Sequence, residues 1–277
     1  MPDLLAFAEM LDPQRLTEHA FVVPAQDQSQ DFYPAGTVAA IVAYAAAAAF
    51  PEQELRSIHL AFVGAASPAQ PLTAELSIAR SGRQLVSVLA SVTQENRLCA
   101  HGYAMLGPQT ADVVRHQVDT SPTGPGPAVS PPAVAGNYAE VRAAGGIDPF
   151  DPDVSAPPQW DTWVAAEGLP HRPGLTEALI AYEANAFLVS AAVLPHRGIS
   201  MHSAHHDLMA VITASDVVFH APAQELPWLR FSQESTYAGG GWVYGRGLAF
   251  NESGQLLASF SEEAMLRNYP AGRTQRM

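Results

Sequence analysis

The sequence predicts an α+β protein built from two similar halves, and three observations support this prediction. Each half contains a long apolar helix. Each helix is followed by four strand-like segments with no further helix between them, which favours antiparallel sheet over an α/β arrangement. Both halves also place a Ser-Gly hairpin signal between two strand-like segments, at Ser81-Gly82 and at Ser253-Gly254.

In the first half, the helix is predicted over Gly36–Phe50 and is ended by Pro51. It is apolar on all sides, which indicates a helix wrapped by a sheet. The predicted strands that follow are Arg56–Val63, Leu72–Arg80, Gln84–Thr93 and Arg97–Leu106.

In the second half, a long apolar helix is predicted over Gly174–Leu194 and ends near Pro195. The strands predicted after it are Leu208–His220, Trp228–Ser235, Trp242–Phe250 and Gln255–Leu266.

A segment rich in Pro, Gly, Ser and Thr separates the halves, over residues 107–136, and it shows no apolar period. A second stretch rich in Pro and Asp follows, over Gly145–Pro158, and is typical of a surface loop. We therefore predict an N-terminal domain over residues 1–110, a linker over 111–150 and a C-terminal domain over 151–277.

The charge and the composition of the 277 residues exclude several classes of protein. The net charge is −13, and all 14 basic residues are Arg. Because there is no Lys, the chain cannot be a Schiff-base or pyridoxal-phosphate enzyme with a catalytic Lys, or a P-loop protein. The acidic balance argues against binding to nucleic acid or to anionic lipid. One cysteine, Cys99, excludes an internal disulfide.

No targeting or membrane-spanning segment is predicted. The N-terminus lacks a basic start and a small-residue cleavage site. The longest apolar run, Val38–Phe50, is shorter than the roughly 20 residues that cross a bilayer. We therefore expect a cytoplasmic protein with no membrane partner.

Several segments of the second half follow one known family in order and spacing. The clearest are VVFHAP, PWLRFSQEST, GWVYGRGLAF and GQLLASFSEEAMLR, with TWVAAEGLP and ALIAYEANAFL before them. On these residues the sequence resembles the bacterial acyl-CoA thioesterase II family, which has two hotdog domains in one chain. The resemblance implies a tandem hotdog fold, an acyl-CoA or acyl-carrier thioester as substrate, and hydrolysis by an activated water. No cofactor is expected. His202, His205 and His206 with Asp207 could mimic a metal site, but their spacing is not the recurrent spacing of a zinc site, so no metal is expected either.

In that family an Asp on the second helix, a hydroxyl residue on the next strand and a Gln on the last strand hold the water. The resemblance places Asn185, Ile212 and Glu262 at these three positions, so all three differ from the family pattern. A Gln typical of the first helix start is replaced by Thr37.

The residues at two of these positions can be judged on their own. Glu262 lies in the middle of the apolar face of a predicted strand, where burial would raise its pKa and suit it to act as a general base or acid. Alternatively, the strand ends at Ser261 and Glu262 is solvated beside Glu263. Asn185 has apolar helix neighbours and faces inward, so it binds a water or a thioester carbonyl, pairs with Glu262, or bonds only to loop backbone.

The missing hydroxyl could come from Thr213 or Ser215. Ordinary pleating points both side chains to the face opposite Ile212, so we expect them to face solvent unless a bulge intervenes.

We expect the acyl chain to lie in an apolar tunnel beside the second helix. The small side chains Ala181 and Ala184 would leave room there. The predicted substrate-binding residues are Tyr182, Ala186, Leu188, Val189, Ile212, Thr213 and Phe260.

Two other functions remain open from the sequence. A dehydratase-type hotdog enzyme would need a His near an acid, for which His196, His202 and His206 are available. A non-catalytic acyl-thioester binder would need no catalytic residue. We also expect a homo-oligomer, namely a dimer.

Overall fold

The computed structural model describes residues 3–26, 31–118, 125–133, 138–202, 207–222 and 226–269. The described elements are, in chain order, α1 (Leu4–Met10), β1 (Gln14–Thr17), β2 (Ala20–Val23), α2 (Ala35–Ala49), β3 (Glu54–Phe62), β4 (Leu72–Ser81), β5 (Val86–Gln94), β6 (Arg97–Gly107), β7 (Val141–Ala143), β8 (Gln159–Ala165), α3 (Leu175–Ala184), α4 (Leu188–Val193), β9 (Leu208–Phe219), β10 (Trp228–Gly239), β11 (Trp242–Asn251) and β12 (Leu256–Asn268). The eight strands predicted from the sequence are all present, with ends that differ by a few residues.

The described strands form one antiparallel sheet of twelve, in the order β1-β2-β4-β5-β6-β3-β9-β12-β11-β10-β8-β7. The strands of the two halves meet where β3 pairs with β9, with Ile58 opposite Val217 and Leu60 opposite Ser215. The sheets of the two halves therefore join edge to edge. The junction hides one edge strand from each half, which removes two sites for unwanted strand pairing.

Short turns set the register of the hairpins on either side of this junction. Glu95 and Asn96 have positive φ values of 49° and 66°, and they join Gln94 to its partner Arg97 in a two-residue loop. Gly240 and Gly241 make the corresponding two-residue turn between β10 and β11. Two residues with positive φ match the right-handed twist of the flanking strands, so these turns favour tight antiparallel pairing.

The helices α2 and α3 lie side by side against one face of the sheet, which we call the inner face. Nearly every residue of α2 is buried, which agrees with its uniformly apolar sequence. Gly36 at the start of α2 lies against the backbone of Tyr182 near the end of α3, and Gly174 just before α3 lies against Ala47. The two helices are therefore antiparallel, and glycine allows the close approach at both ends.

The prediction of one continuous helix over 174–194 is wrong. The helix ends at Ala184, and a new short helix, α4, begins at Leu188. Asn185, Ala186 and Phe187 lie in the break between them. The apolar sequence gives no sign of this interruption, because the residues on both sides are good helix formers.

An exposed hydrogen-bonded chain links the two halves on the opposite, outer face of the sheet. The His59 ring, on β3, lies 2.6 Å from Asp216 on β9 and 3.0 Å from the Ser57 hydroxyl. The Ser261 hydroxyl donates to the second oxygen of Asp216 at 3.3 Å. These contacts reinforce the β3–β9 junction where the two halves join.

The linker is only partly regular. Its described part includes β7, which pairs with β8 at the edge of the sheet, and the Gln117 side chain, which bonds to the backbone of Gly254 and Leu256. Within the described residues, no helix is both long enough and apolar enough to cross a bilayer.

Candidate active site

A row of small and polar residues crosses the inner face of the second half. Glu262 on β12 lies directly opposite Ser215 on β9 and opposite Gly245 on β11. Glu262 and Ser215 are both buried, with exposures of 2% and 1%. The strand therefore continues through Glu262, and the alternative of a solvated strand end at this residue is wrong.

A bulge in β9 brings Ser215 to this face. Glu263 pairs with Ala214, and the next residue of β12 pairs with Ile212, so Thr213 is an additional residue without a partner in the ladder. The Thr213 hydroxyl donates to the Glu263 carbonyl at 3.2 Å. The expectation that Ser215 faces solvent is therefore wrong, because the additional residue reverses the side-chain alternation.

Burial determines the protonation of Glu262. The carboxyl group lies between two apolar clusters, and one of its oxygens, Oε1, has no hydrogen-bond partner among the described residues. Loss of water around the carboxylate raises the pKa of Glu262 well above its usual range. Burial therefore favours the neutral form of the group, and its ionised form is a stronger base than an exposed carboxylate.

Asn185 lies in the helix break, three residues before Leu188. Its side-chain Nδ2 donates to the Ala181 carbonyl at 2.8 Å, whereas Oδ1 is buried and has no partner among the described residues. Leu188 lies on the backbone of Gly245, the direct neighbour of Glu262. The helix break therefore lies above the row that contains Glu262 and Ser215.

Three elements thus present buried oxygens that lack partners within the described structure. They are Asn185 Oδ1 from the end of α3, Ser215 Oγ from β9 and Glu262 Oε1 from β12. Buried polar atoms in native proteins are almost always bonded to protein or to ordered water. An arrangement of this kind suits a site that holds a water molecule or the polar part of a substrate.

The other predicted substrate-binding residues have different surroundings. Leu188 and Val189 lie in a small apolar cluster against which Ile212 packs, and the Phe260 ring lies in the large core cluster. Tyr182 packs with Phe7 and Tyr138, with ring centroids 5.5 Å and 5.6 Å away.

Ala186 does not fit the expected tunnel wall, because it is exposed. It lies in the helix break, where the side chain is turned away from the buried face that its neighbours Asn185 and Phe187 share. The structure therefore gathers Leu188, Val189 and Ile212 in one cluster but leaves Ala186 outside it.

Sequence reasoning missed a second buried carboxyl group, Glu183 on α3. It is fully buried, neither of its oxygens has a hydrogen-bond partner among the described residues, and burial raises its pKa to about 8. Two helical positions separate it from Asn185, so the two side chains point in nearly opposite directions. A carboxylate inside an otherwise apolar helix was the signal that could have identified it.

The histidines considered for a dehydratase or a metal site are dispersed or not described. His196 is exposed, and the His202 ring packs against Phe150 at 5.4 Å. His205 and His206 lie outside the described residues. Among the residues that the structure describes, no group of three potential ligands could hold a metal ion.

The chain matches two protein-family models. An acyl-CoA thioesterase N-terminal domain matches residues 29–107, and an acyl-CoA thioesterase C-terminal domain matches residues 111–266. A search of curated proteins finds no match.

Solved structures resemble the chain over nearly its whole length. A tesB protein of Mycobacterium avium subs paratuberculosis has a TM-score of 0.79 at 20% identity, covering 97% of this chain and 100% of that one. The acyl-CoA thioesterase II TesB2 of Mycobacterium marinum gives 0.78 at 22% identity, covering 98% and 100%. A hotdog-fold protein of Alicyclobacillus acidocaldarius gives 0.76 at 19% identity, covering 96% and 99%.

The structural matches show that the fold is a hotdog fold, and the family models define a thioester hydrolase. More specifically, the chain belongs to the acyl-CoA thioesterase family. The resemblance seen in the sequence is therefore confirmed.

Proposed function

We propose that the chain hydrolyses acyl-CoA to a carboxylic acid and CoA, with Glu262 as the base that activates the water. The observation that best supports this role is the row in which Glu262 and Ser215 face each other below the helix break. Each contributes a buried oxygen without a partner in the described structure, as does Asn185. Glu183, Thr162 and Gln233 also have buried polar atoms without a partner among the described residues. The row differs from them because Glu262 and Ser215 are direct neighbours on paired strands.

The reaction follows from the chemistry of these three groups. The Glu262 carboxylate takes a proton from water, and the water oxygen bonds to the thioester carbonyl carbon. The bond between this carbon and sulphur then breaks, and the proton on Glu262 passes to the departing sulphur. Asn185 Oδ1 accepts a hydrogen bond from the second O–H of the water, and this bond orients the lone pair of the water oxygen toward the carbonyl carbon.

Ser215 supplies the hydroxyl that is absent at Ile212. Its Oγ lies opposite Glu262 in the sheet, where paired Cβ atoms are about 5 Å apart, so a water can bond to both side chains. The hydroxyl can accept a hydrogen bond from the neutral carboxyl and donate one to the bound water.

The test replaces each buried carboxyl separately. Glu262→Gln keeps the shape but removes the base, so turnover of the best acyl-CoA should fall about 10²–10⁴-fold. Glu183→Gln is the matched control, because Glu183 is equally buried but lies on the helix side opposite Asn185. Wild-type turnover in Glu262→Gln, or its loss in Glu183→Gln, would contradict the assignment of the base.

The domain arrangement is part of the same proposal. We infer two hotdog domains, residues 1–110 and 151–277, each with a central helix, joined by a linker over 111–150. The N-terminal family model ends at residue 107, which supports the end of the first domain, whereas the C-terminal model begins at residue 111 and includes the proposed linker. Residues 119–124 and 134–137 within the linker, and residues 1–2 and 270–277 at the ends of the chain, lie outside the described residues. Limited proteolysis should first cleave between residues 108 and 140, and first cleavage within α2 or α3 would contradict the division.

We also infer a cytoplasmic homodimer that acts in fatty-acid metabolism on acyl-CoA or on an acyl-carrier thioester. Exposed apolar residues on the outer face of the sheet support self-association: Leu89, Tyr103, Val218, Trp242 and Tyr244. Light scattering should give twice the chain mass of 29.4 kDa, and a monomer at micromolar concentration would exclude the dimer. Parallel assays with acyl-CoA and acyl-carrier protein identify the carrier.

A further inference from the structure

On the inner face, two glycines of β11 leave space beside the proposed base, Glu262, and neighbouring side chains fill this space. Gly245 lies opposite Glu262, and Gly247 lies opposite Phe260. A Cβ atom on Gly245 would collide with a methyl group of Leu188 and lie 2.5 Å from the Glu234 carbonyl oxygen. Glycine inside a strand often marks a place where another group approaches the backbone closely.

The Phe260 side chain fills the space beside Gly247, as Leu188 does beside Gly245. A Cβ atom on Gly247 would collide with the distal end of the Phe260 ring, so this ring packs against Gly247 on the neighbouring strand. The ring is also 6.1 Å from the ring of Phe231, measured between centroids. Leu188 and Phe260 are both almost fully buried, with exposures of 2% and 5%.

These two side chains lie on the two sides of Glu262. Leu188 belongs to the small cluster under α4, which also includes Val189, Val193 and Met201, whereas Phe260 belongs to the large core. An acyl chain whose carbonyl carbon reaches the water at Glu262 must continue toward one cluster or the other. On the first path it meets Leu188, and on the second it meets Phe260.

Two cavities lie away from these side chains. A groove of about 1120 Å³ lies between the linker and the strand ends, lined by residues such as Arg56, His116 and Ser259. A cavity of about 200 Å³ lies near Ala47 and Gly174, at the end of the helix pair far from Asn185. Neither is lined by Glu262, Leu188 or Phe260.

We propose that Leu188 and Phe260 restrict the substrate to thioesters of short acyl groups, from acetyl to butyryl. This inference rests on the proposed function and names its substrate class. Both side chains pack against strand backbone that the sheet holds in place, so a longer acyl chain has to displace one of these side chains. In a hydrophobic pocket, one methylene that does not fit changes the specificity constant by roughly 10–200-fold.

The test measures kcat/KM for acetyl-, butyryl-, hexanoyl-, octanoyl- and decanoyl-CoA. For the wild type, kcat/KM should fall at least about tenfold from butyryl- to hexanoyl-CoA. Leu188→Ala removes three side-chain carbons, so the preferred chain should lengthen by about three carbons. Phe260→Ala should lengthen it further. Leu72→Ala makes the same truncation at a fully buried position of the first half, and should keep the wild-type profile.

Circular dichroism and gel filtration establish that each variant folds. If an alanine variant fails to fold, Leu188→Val and Phe260→Leu replace it, and they should shift the profile in the same direction by less. A wild type that prefers decanoyl-CoA would overturn the inference, as would folded variants that keep its profile.

Calorimetry with non-hydrolysable thioether analogues separates the inference from the proposed function. The wild type should bind the butyryl analogue at least about tenfold more tightly than the hexanoyl analogue, and Leu188→Ala should remove this preference. If these binding results hold but no thioester is hydrolysed, the chain-length limit stands and the proposed hydrolysis fails. Equal binding of both analogues by the wild type would overturn the chain-length limit itself.

Discussion

Replacing Glu183 with glutamine should change how the stability of the protein depends on pH. Glu183 is fully buried on α3, and burial raises its pKa from 4.5 to about 8. The folded state therefore keeps a proton that the unfolded state releases. This carboxyl group favours folding fully below the unfolded pKa, and that contribution is lost as the pH rises through the folded pKa.

The size of the effect follows from the two pKa values. Each pKa unit of difference corresponds to about 1.36 kcal/mol. The rise in pKa from 4.5 to about 8 therefore lowers the free energy of unfolding by about 5 kcal/mol at alkaline pH. At pH 7 the cost is about 3 kcal/mol, because the unfolded state is ionised and the native state is still mostly protonated. Glutamine has nearly the same shape and does not ionise, so this cost disappears.

The measurement is the free energy of unfolding in urea, for wild type and Glu183→Gln, at several pH values between about 5 and 8. The difference between the two proteins should grow by about 1.4 kcal/mol per pH unit in favour of the variant. Glu262 affects both proteins equally, so it cancels in the difference. Glu167→Gln, at an exposed carboxylate of the same half, is the control and should follow the wild type. Parallel curves for wild type and Glu183→Gln would refute the reasoning.

Three further predictions concern the site and the junction between the halves. The kcat/KM of the wild type should rise with pH through the raised pKa of Glu262, because only the carboxylate accepts a proton, and a flat or falling profile would exclude this base. The double change Asn185→Asp with Glu262→Gln should recover part of the activity that Glu262→Gln alone loses, and single-turnover assays can measure this recovery. Asn185→Asp alone should give no gain in activity, because two neighbouring carboxyl groups would raise the pKa of one of them further. Asp216→Asn weakens the contact with His59 across β3 and β9, so the free energy of unfolding in urea should fall by about 1 kcal/mol. An unchanged unfolding midpoint would show that the junction does not depend on this contact.

The sequence predicted the long strands well because several, such as β5 and β11, show a clear two-residue alternation and end at a recognisable turn. The hairpin signals at Ser81-Gly82 and Ser253-Gly254 both lie between paired strands, β4–β5 and β11–β12. The shorter elements were missed. β7 has only three residues, too few for alternation to show a period.

Within the candidate site, prediction succeeded where it depended on alternation and failed where the backbone departs from regular geometry. For Glu262 the alternation predicts a buried position, with a solvated strand end as the alternative, and the regular strand decides for the buried position. Ser215 was assigned to the wrong face because the bulge at Thr213 is set by pairing with β12, a partner distant in sequence. The helix break at Asn185 was missed because the surrounding sequence remains apolar and helix-favouring.

Relative to the family pattern, the carboxyl and the amide are exchanged between the helix α3 and the strand β12, and this exchange affects both the pKa and the acyl-binding space. In the family pattern the carboxylate is on the helix and the amide is on the strand, whereas here Asn185 is on the helix side and Glu262 is on the strand. Glu262 lies between two apolar clusters, with Leu188 above the adjacent Gly245, so its carboxylate is poorly solvated. The same packing that raises the pKa of Glu262 also fills the space an acyl chain would use. Alkaline activity and a short acyl chain are therefore linked predictions, because Leu188→Ala should both lengthen the preferred chain and admit water that lowers the pKa of Glu262.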